Sequence, residues 1–204
     1  THCISSAASD VYKRQILNSS AKDFKVSGNF IDNKADYGGA IDNTSLPGGI
    51  LPASSTIINS NFINNKANEQ GGAIYHEGEM DIVADNYASV FQGNTAAGVS
   101  NALYIAHYDD EHTSVVNLIA ENGGSLTFYD DIDGEEGYKL NLSGDADSRI
   151  EFHANISNGD ITIGSQAMSR AVSETPSVSF DKIDNIADRN NSLIMNNGSV
   201  TFND

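Results

Sequence analysis

Cysteine is nearly absent from this sequence, since Cys3 is the single one among 204 residues. An intrachain disulfide framework is therefore excluded. Tryptophan is missing altogether, and there are only three prolines. No run of about 18 apolar residues occurs, so the sequence predicts no transmembrane helix. The start also lacks the basic region and apolar core that mark a signal peptide.

Basic residues are scarce as well. Lys and Arg total 11 against 28 Asp and Glu, which gives a formal net charge of −17 and a pI of about 4.3. Nucleic acids and anionic lipids both require a basic surface, so neither is an expected partner. Hydrophobic residues nevertheless make up 39% of the chain. Because aliphatic and aromatic residues recur between Asn, Asp, Ser and Gly, we expect a folded, turn-rich protein with a solvated acidic surface.

The two ends of the sequence stand apart from its middle. The opening THCISSAASDVYKRQ matches no pattern downstream and resembles translated adapter or linker DNA. We therefore expect residues 1–15, including Cys3, to be a non-native or disordered leader. The chain lacks an initiator Met and stops at NGSVTFND inside a repeat, so we expect a fragment of a longer protein.

The strongest signal is a motif that recurs about every 30 residues, a spacing typical of solenoids. Each copy has a Phe, an Asn three residues later, and a Gly-Gly-Ala-Ile element beyond it. The third copy is degenerate, with Ser100-Asn101-Ala102-Leu103 in place of that element. The positions predicted to form the structural ladder are Phe30, Asn33, Gly38, Gly39, Ile41, Phe62, Asn65, Gly71, Gly72, Ile74, Phe91, Asn94 and Leu103.

Short strands joined by Asn and Gly turns, one repeat per coil, predict an all-β fold: a right-handed parallel β-helix forming a single elongated domain from residue 16 to residue 204. Equivalent residues then stack about 4.8 Å apart. We expect an inward stack of Phe rings, an Asn ladder at a turn with left-handed backbone, and tight Gly-Gly corners. The second copy has one extra residue within 68–70, which a turn is expected to absorb.

Residues 16–104 carry the motif, whereas residues 105–204 are predicted to form divergent rungs that end in mid-array, giving about seven to nine rungs in all. Strands are predicted at 102–106, 114–120, 125–129, 139–142, 149–153, 160–163 and 177–180. In this half GGSLTFYDD returns as NGSVTFND, with Phe128 matching Phe202. Segments 44–55 and 164–176 are predicted to be surface loops.

The motif resembles the repeats of chlamydial polymorphic outer-membrane proteins, and the second half is similar to the passenger repeats of autotransporter adhesins. This resemblance implies a pectin lyase-like β-helix that is secreted or displayed on a bacterial surface, with a membrane barrel only in a missing C-terminal domain. It also implies an adhesive role, with a host or cell-surface protein or glycan as partner. We expect a monomer that needs no cofactor and that makes contacts through the loops 44–55 and 107–113.

Catalysis is the alternative, because polysaccharide lyases and hydrolases share the pectin lyase-like architecture. Such an enzyme needs carboxylates clustered with basic residues, and no basic residue here recurs in register with an acidic cluster. The best candidate is HYDDEH, in which His107 and His112 flank three carboxylates including Asp110. A metal or acid–base site and a plain charged loop both explain this segment.

A second acidic segment, YDDIDGEEG at 129–137, is incompatible with an EF-hand, because Tyr129 and Leu140 would occupy its first and twelfth positions. The sequence still allows a looser calcium site made by carboxylates at a corner. We therefore predict no catalytic, cofactor-binding or metal-binding residue, and the ladder residues are expected to be structural.

Overall fold

The computed structural model describes residues 15–19, 24–45, 54–109, 112–164, 177–181, 186, 191–195 and 200–203. These residues form strands and turns only, and none of them forms a helix that could cross a membrane. The strands, numbered along the chain, are β1 (Ile16–Ser19), β2 (Phe24–Val26), β3 (Asn29–Ile31), β4 (Lys34–Tyr37), β5 (Ile41–Thr44), β6 (Ser54–Ile58), β7 (Asn61–Ile63), β8 (Lys66–Gln70), β9 (Ile74–Glu77), β10 (Glu79–Asp85), β11 (Ala88–Gln92), β12 (Thr95–Ala96), β13 (Val99–Ser100), β14 (Leu103–Ala106), β15 (Val115–Glu121), β16 (Ser125–Phe128), β17 (Ile132–Gly134), β18 (Tyr138–Gly144), β19 (Arg149–Phe152), β20 (Gly159–Ile163), β21 (Ser177–Phe180), β22 (Ser192–Met195) and β23 (Val200–Phe202).

The strands stack into four sheets that run along one coil. Sheet A contains β1-β5-β9-β14-β17, sheet B β2-β6-β10-β15-β18-β20-β22, sheet C β3-β7-β11-β16-β19-β21-β23, and sheet D β4-β8-β12-β13. Every pairing between these strands is parallel except that of β12 with β13. The fold is therefore a parallel β-helix, and the predicted fold class is confirmed. Sheets B and C each contain seven strands, one per rung.

In the core, equivalent positions of successive rungs carry similar residues, which stack on one another. In sheet C the rings of Phe30, Phe62 and Phe91 are stacked with centroids 4.7 Å apart at each step. The stack continues through four more rings, those of Phe128, Phe152, Phe180 and Phe202, at 4.5–5.6 Å. In sheet A the inward column is Ile41, Ile74, Leu103 and Ile132. Because strands alternate inward and outward residues, these stacked apolar side chains all face the inside of the coil.

The asparagines of the motif form a ladder of amides inside the coil. Nδ2 of Asn33 donates to Oδ1 of Asn65 at 2.8 Å, and Nδ2 of Asn65 donates to Oδ1 of Asn94 at 2.9 Å. Asn65 and Asn94 are fully buried. The expectation that these asparagines adopt left-handed backbone is wrong. The left-handed residue is the preceding one, Asp32 or Asn64, because that residue makes the turn and leaves the next side chain pointing inward.

The first and second glycines of each Gly-Gly pair have different structural roles. Gly38 and Gly71 are left-handed, with φ of 53° and 69°. Gly39 is required for close approach instead, since a Cβ there would lie 2.2 Å from the carbonyl oxygen of Gly72. The extra residue of the second copy lies within strand β8. The register of β8 against β4 shifts there, since Ala35 is paired with Ala67 but Tyr37 is paired with Gln70. It is therefore a β-bulge rather than an extension of a turn.

Sheet D ends where the third copy of the motif degenerates. Ala97 and Gly98, both left-handed, make a two-residue turn that folds β13 back antiparallel onto β12. In the next rung the chain passes directly from β16 in sheet C to β17 in sheet A. Asn101 replaces the second glycine and accepts a hydrogen bond from the amide of Gly72 at 3.2 Å.

The predicted strands of the second half all coincide with strands of the structure to within two residues, and 177–180 coincides with β21. The predicted loops fall mostly outside the described residues, at 46–53 and 165–176, as does the leader at 1–14. Gln15 is described, and its side chain donates to the carbonyl of Gly38 at 2.9 Å.

Candidate functional site

The segment HYDDEH, at residues 107–112, lies between strands β14 and β15. His112 Nδ1 lies 2.7 Å from Oδ1 of Asp109 within the loop, and the amide of His107 donates to Oε2 of Glu135 at 2.7 Å. Asp110 and Glu111 lie outside the described residues. Among the described part of the chain, no three His, Cys, Asp or Glu residues are grouped as a metal site would require.

The acidic segment 129–137 binds backbone and side-chain amides of neighbouring rungs. Asp130 terminates the asparagine ladder, accepting from the amides of Gly93 and Asn94 at 2.9 and 2.8 Å and from Nδ2 of Asn94 at 2.7 Å. Burial raises the pKa of Asp130, and these donors oppose the rise. Asp131 accepts from the amide of Asn155 at 2.9 Å. These carboxylates are thus used as hydrogen-bond acceptors for the coil.

The outer face of sheet A carries a different pattern. Asp42, Tyr75, Tyr104 and Asp133 are successive partners on strands β5, β9, β14 and β17. We call these four residues the tyrosine strip. The two rings are parallel, with centroids 6.0 Å apart and an interplanar angle of 5°. Tyr37, which is 42% exposed, meets the ring of Tyr75 edge-on at 5.3 Å.

Further carboxylates lie beside the tyrosine strip. The Tyr75 hydroxyl donates to Oε1 of Glu77 at 3.2 Å. Burial, and then the negative charge of Glu77, raise the pKa of Asp42 to about 6. Burial and the charges of Glu135 and Asp133 raise the pKa of the Tyr104 hydroxyl. Several negative charges therefore face one narrow surface.

A small cavity opens at one end of the tyrosine strip, beside the β12–β13 hairpin with which sheet D ends. We call this cavity of about 230 Å³ the notch. Its walls include Tyr104, Gln70, Ser100 and three carboxylates, and its rim includes the 66% exposed side chain of Val99. The carboxylates are those of Glu69, Asp131 and Asp133. An aromatic wall with several acceptors in a concavity is the kind of arrangement that holds a ligand.

A larger and more open groove, of about 640 Å³, lies on the outer face of sheet D. It contains Lys34 and Lys66, which are direct partners on β4 and β8. Stacked like charges repel. The groove also contains Asp32, and it shares no lining residue with the tyrosine strip.

Inside sheet A, three polar side chains form a buried chain. Nδ2 of Asn18 donates to Oδ1 of Asn43 at 2.5 Å, and Nδ2 of Asn43 donates to Nδ1 of His76 at 2.7 Å. This pairing places the proton of the neutral ring on Nε2. Burial lowers the pKa of His76 to about 4, while the nearby backbone of Gly78 and Val115 opposes that shift.

The ladder residues predicted from the motif lie in the interior or at the corners of the coil. The tyrosine strip and His76 were not predicted. Their signal is present in the aligned copies, since GGAIDN and GGAIYH place Asp42 with Tyr75 and Asn43 with His76. The notch had no signal in the motif, because it is created by the loss of a strand.

Comparison with known proteins gives one family match. Residues 59–77 match the model of the Chlamydia polymorphic membrane protein repeat. This stretch begins at the left-handed Asn59 and runs through β7, β8, the second Gly-Gly corner and β9. No curated protein and no solved structure matches the chain. The match supports a protein of the polymorphic-membrane-protein type with a surface association.

Proposed function

We propose that this chain is part of the passenger of an autotransporter-type bacterial protein, secreted or displayed on the cell surface. Its right-handed, pectin lyase-like coil serves as a stalk, and its outer faces adhere to a host or cell-surface protein or glycan. It acts as a monomer without a cofactor, and any membrane contact comes from a separate domain. The observation that carries this proposal is the repeat match at residues 59–77, which spans three successive strands of the coil, β7, β8 and β9.

The architecture is suited to a stalk because each rung contacts only its neighbours, so further rungs add length. Side chains on the outer faces are free to vary while the inner ladder is retained. We further propose that the chain is not an enzyme. The His107 and His112 rings lie beside separate carboxylates, Glu135 and Asp109, rather than converging on one point.

Adhesion is tested with beads that carry the purified chain and are applied to cultured host cells. We expect more bound beads than with beads carrying an unrelated acidic protein of similar size. Equal binding by both kinds of bead would refute the adhesive role.

Catalysis is tested by incubating the chain with a panel of polyuronates and host glycans. We expect no product. Product formation that His107→Ala abolishes and Tyr87→Ala leaves intact would establish the enzymatic alternative, because Tyr87 lies at the distant corner between sheets B and C.

A further inference from the structure

We infer that the tyrosine strip and the notch together bind an extended, positively charged segment of a partner protein. One Lys or Arg of that segment enters the notch against Tyr104, and a second reaches Asp42 and Glu77. This inference names the partner class for the adhesive role proposed above and rests on it.

The first step of the argument is the open aromatic surface in the notch. Tyr75 covers one face of the Tyr104 ring, and the next rung offers Asp133 in place of a further ring. The other face of Tyr104 is therefore turned toward the notch, which this ring helps to line. A cation placed over a tyrosine face next to a carboxylate is attracted by both groups.

The second step is charge. None of the residues that line the notch is Lys or Arg, and three of them are carboxylates. Asp131 and Asp133 each use one oxygen, Oδ1, to accept hydrogen bonds from described residues. Because like charges face one another here, a bound cation removes repulsion as well as adding attraction.

The third step is the other end of the tyrosine strip. Oδ1 of Asp42 is buried and has no hydrogen-bond partner among the described residues. Glu77 lies beside it, and its charge acts on Asp42. The Asp42 side chain as a whole is only partly buried, so a guanidinium or ammonium group of a partner can pair with its carboxylate and offset the charge of Glu77.

The distance between the two ends of the tyrosine strip matches the spacing of side chains in an extended peptide. Asp42 and Asp133 are three strand steps apart, which is about 14 Å at the usual strand separation. In an extended chain, residues i and i+4 point to the same side and lie about 13 Å apart at roughly 3.3 Å per residue. Two basic residues with three small residues between them therefore match both ends, and the intervening backbone crosses Tyr75 and Tyr104.

Neutral sugars and acidic glycans fit less well. A neutral sugar leaves the carboxylates without compensating charge, and an acidic glycan is repelled by them. The described residues also form no cluster that could hold a metal ion. A basic peptide is the occupant whose charge and shape both agree with this surface.

The inference is tested with fluorescently labelled five-residue peptides and the purified chain, by fluorescence anisotropy. The first probe is Arg-Gly-Ser-Gly-Arg, the second has adjacent arginines (Arg-Arg-Gly-Ser-Gly), and the third replaces both arginines by Glu. We expect the first probe to bind more tightly than the second, and the third not to bind. Binding of the first probe should weaken as salt is added, because the contacts are largely electrostatic.

Variants locate the binding surface. Tyr104→Ala should weaken binding of the first probe by about three- to thirtyfold, and Tyr104→Phe, which keeps the ring, should retain most of it. The double variant Asp42→Asn/Asp133→Asn should also weaken binding and reduce its salt dependence. Circular dichroism and the melting temperature establish that each variant is folded.

Matched controls carry the same changes on the far side of the coil. Asp147→Asn/Glu151→Gln removes two charges from the B–C corner and sheet C, and Tyr87→Ala removes a tyrosine at that corner. These variants should bind as the unmodified chain does. Equal losses in the control and strip variants would overturn the inference, as would a neutral oligosaccharide that binds in a Tyr104-dependent and salt-independent manner.

The bead assay separates this inference from the adhesive role. If the chain adheres to cells but the first probe does not bind, the assignment of the tyrosine strip fails and adhesion stands. If the probe binds as expected but beads do not adhere, adhesion fails and the peptide site stands.

Discussion

Replacing His76 by asparagine should change how the free energy of unfolding depends on pH. His76 is fully buried, and its ring continues the column formed by Asn18 and Asn43. Asparagine is therefore the residue that the two preceding rungs already place in this column. The substitution removes a titratable group while keeping an amide that Asn43 can contact.

The magnitude follows from the pKa of His76, which burial lowers from 6.5 to about 4. Above pH 6.5 the ring is neutral in both the folded and the unfolded chain, so its stabilising contribution is fully present. As the pH falls toward 4, the unfolded chain binds a proton that the folded chain does not, and stability is lost. At about 1.4 kcal/mol per pKa unit, the loss is about 3 kcal/mol.

Titration of Asp42 changes the free energy of unfolding in the opposite direction. Its pKa is raised from 3.8 to about 6, so the folded chain binds a proton before the unfolded chain does. Protonation of Asp42 therefore stabilises the fold as the pH falls from about 6 to 3.8. Because its carboxylate is partly solvated, we expect no more than about 2 kcal/mol from this group. In the unmodified chain, the effect of Asp42 therefore offsets part of the effect of His76.

The assay is urea denaturation of the unmodified chain and of His76→Asn at a series of pH values between about 7 and 4. The difference in the free energy of unfolding between the two proteins should shift by about 3 kcal/mol over this range, in favour of the variant at low pH. Comparing the two proteins cancels the titration of their shared carboxylates. A difference that stays constant with pH would refute the assignment of His76 as a buried neutral ring.

Three substitutions test the inner ladder by denaturation at neutral pH. Phe62→Ala should cost about 3–5 kcal/mol, because the ring is fully buried and stacked on both sides. Asn94→Ala should cost about 3 kcal/mol or more, since it leaves buried donors of Asn65 and the carbonyl of Phe62 without partners. Gly39→Ala should cost at least about 2 kcal/mol, because its Cβ would clash with the Gly72 carbonyl.

Each of these has a control on the outside of the same region. Ile31→Ala removes a side chain that is 53% exposed, and Asn68→Ala removes an exposed amide that donates to Asp36. Gly98→Asn introduces a side chain into open space at a left-handed position that Asn tolerates. All three should change stability by less than about 1 kcal/mol. Costs as large as those of the inner substitutions would contradict the assignment of inside and outside.

The scaffold was readable from the sequence because a coil repeats its own geometry. Phe30, Phe62 and Phe91 recur at nearly constant offsets, and the structure places them in one stack. The stack also includes Phe152 and Phe180, which no motif flagged. In that half the loops between rungs differ in length, so a fixed offset no longer aligns the rings, although the SLTF, RIEF and SVSF strands all end in Phe.

The candidate binding surface was not readable in the same way. Tyr75 and Tyr104 are one residue beyond Ile74 and Leu103, which drew attention as core residues. The alternation of inward and outward side chains along a strand predicts that both tyrosines point outward. Their pairing with Asp42 and Asp133, however, depends on the register of four strands. The notch depends on the hairpin at Ala97–Gly98, a long-range consequence that a local pattern does not encode.

The stacking of strands into rungs also sets how the coil responds to a pull along its length. The hydrogen bonds between rungs run along the coil axis, so an axial force separates one rung from the next instead of sliding strands past each other. Roughly 24 residues lie between Phe128 and Phe152, on strands paired in neighbouring rungs. At about 3.4 Å per residue, a rung that peels away releases about 80 Å of slack. A chain built this way lengthens in discrete steps, one rung at a time, while the remaining rungs keep their shape.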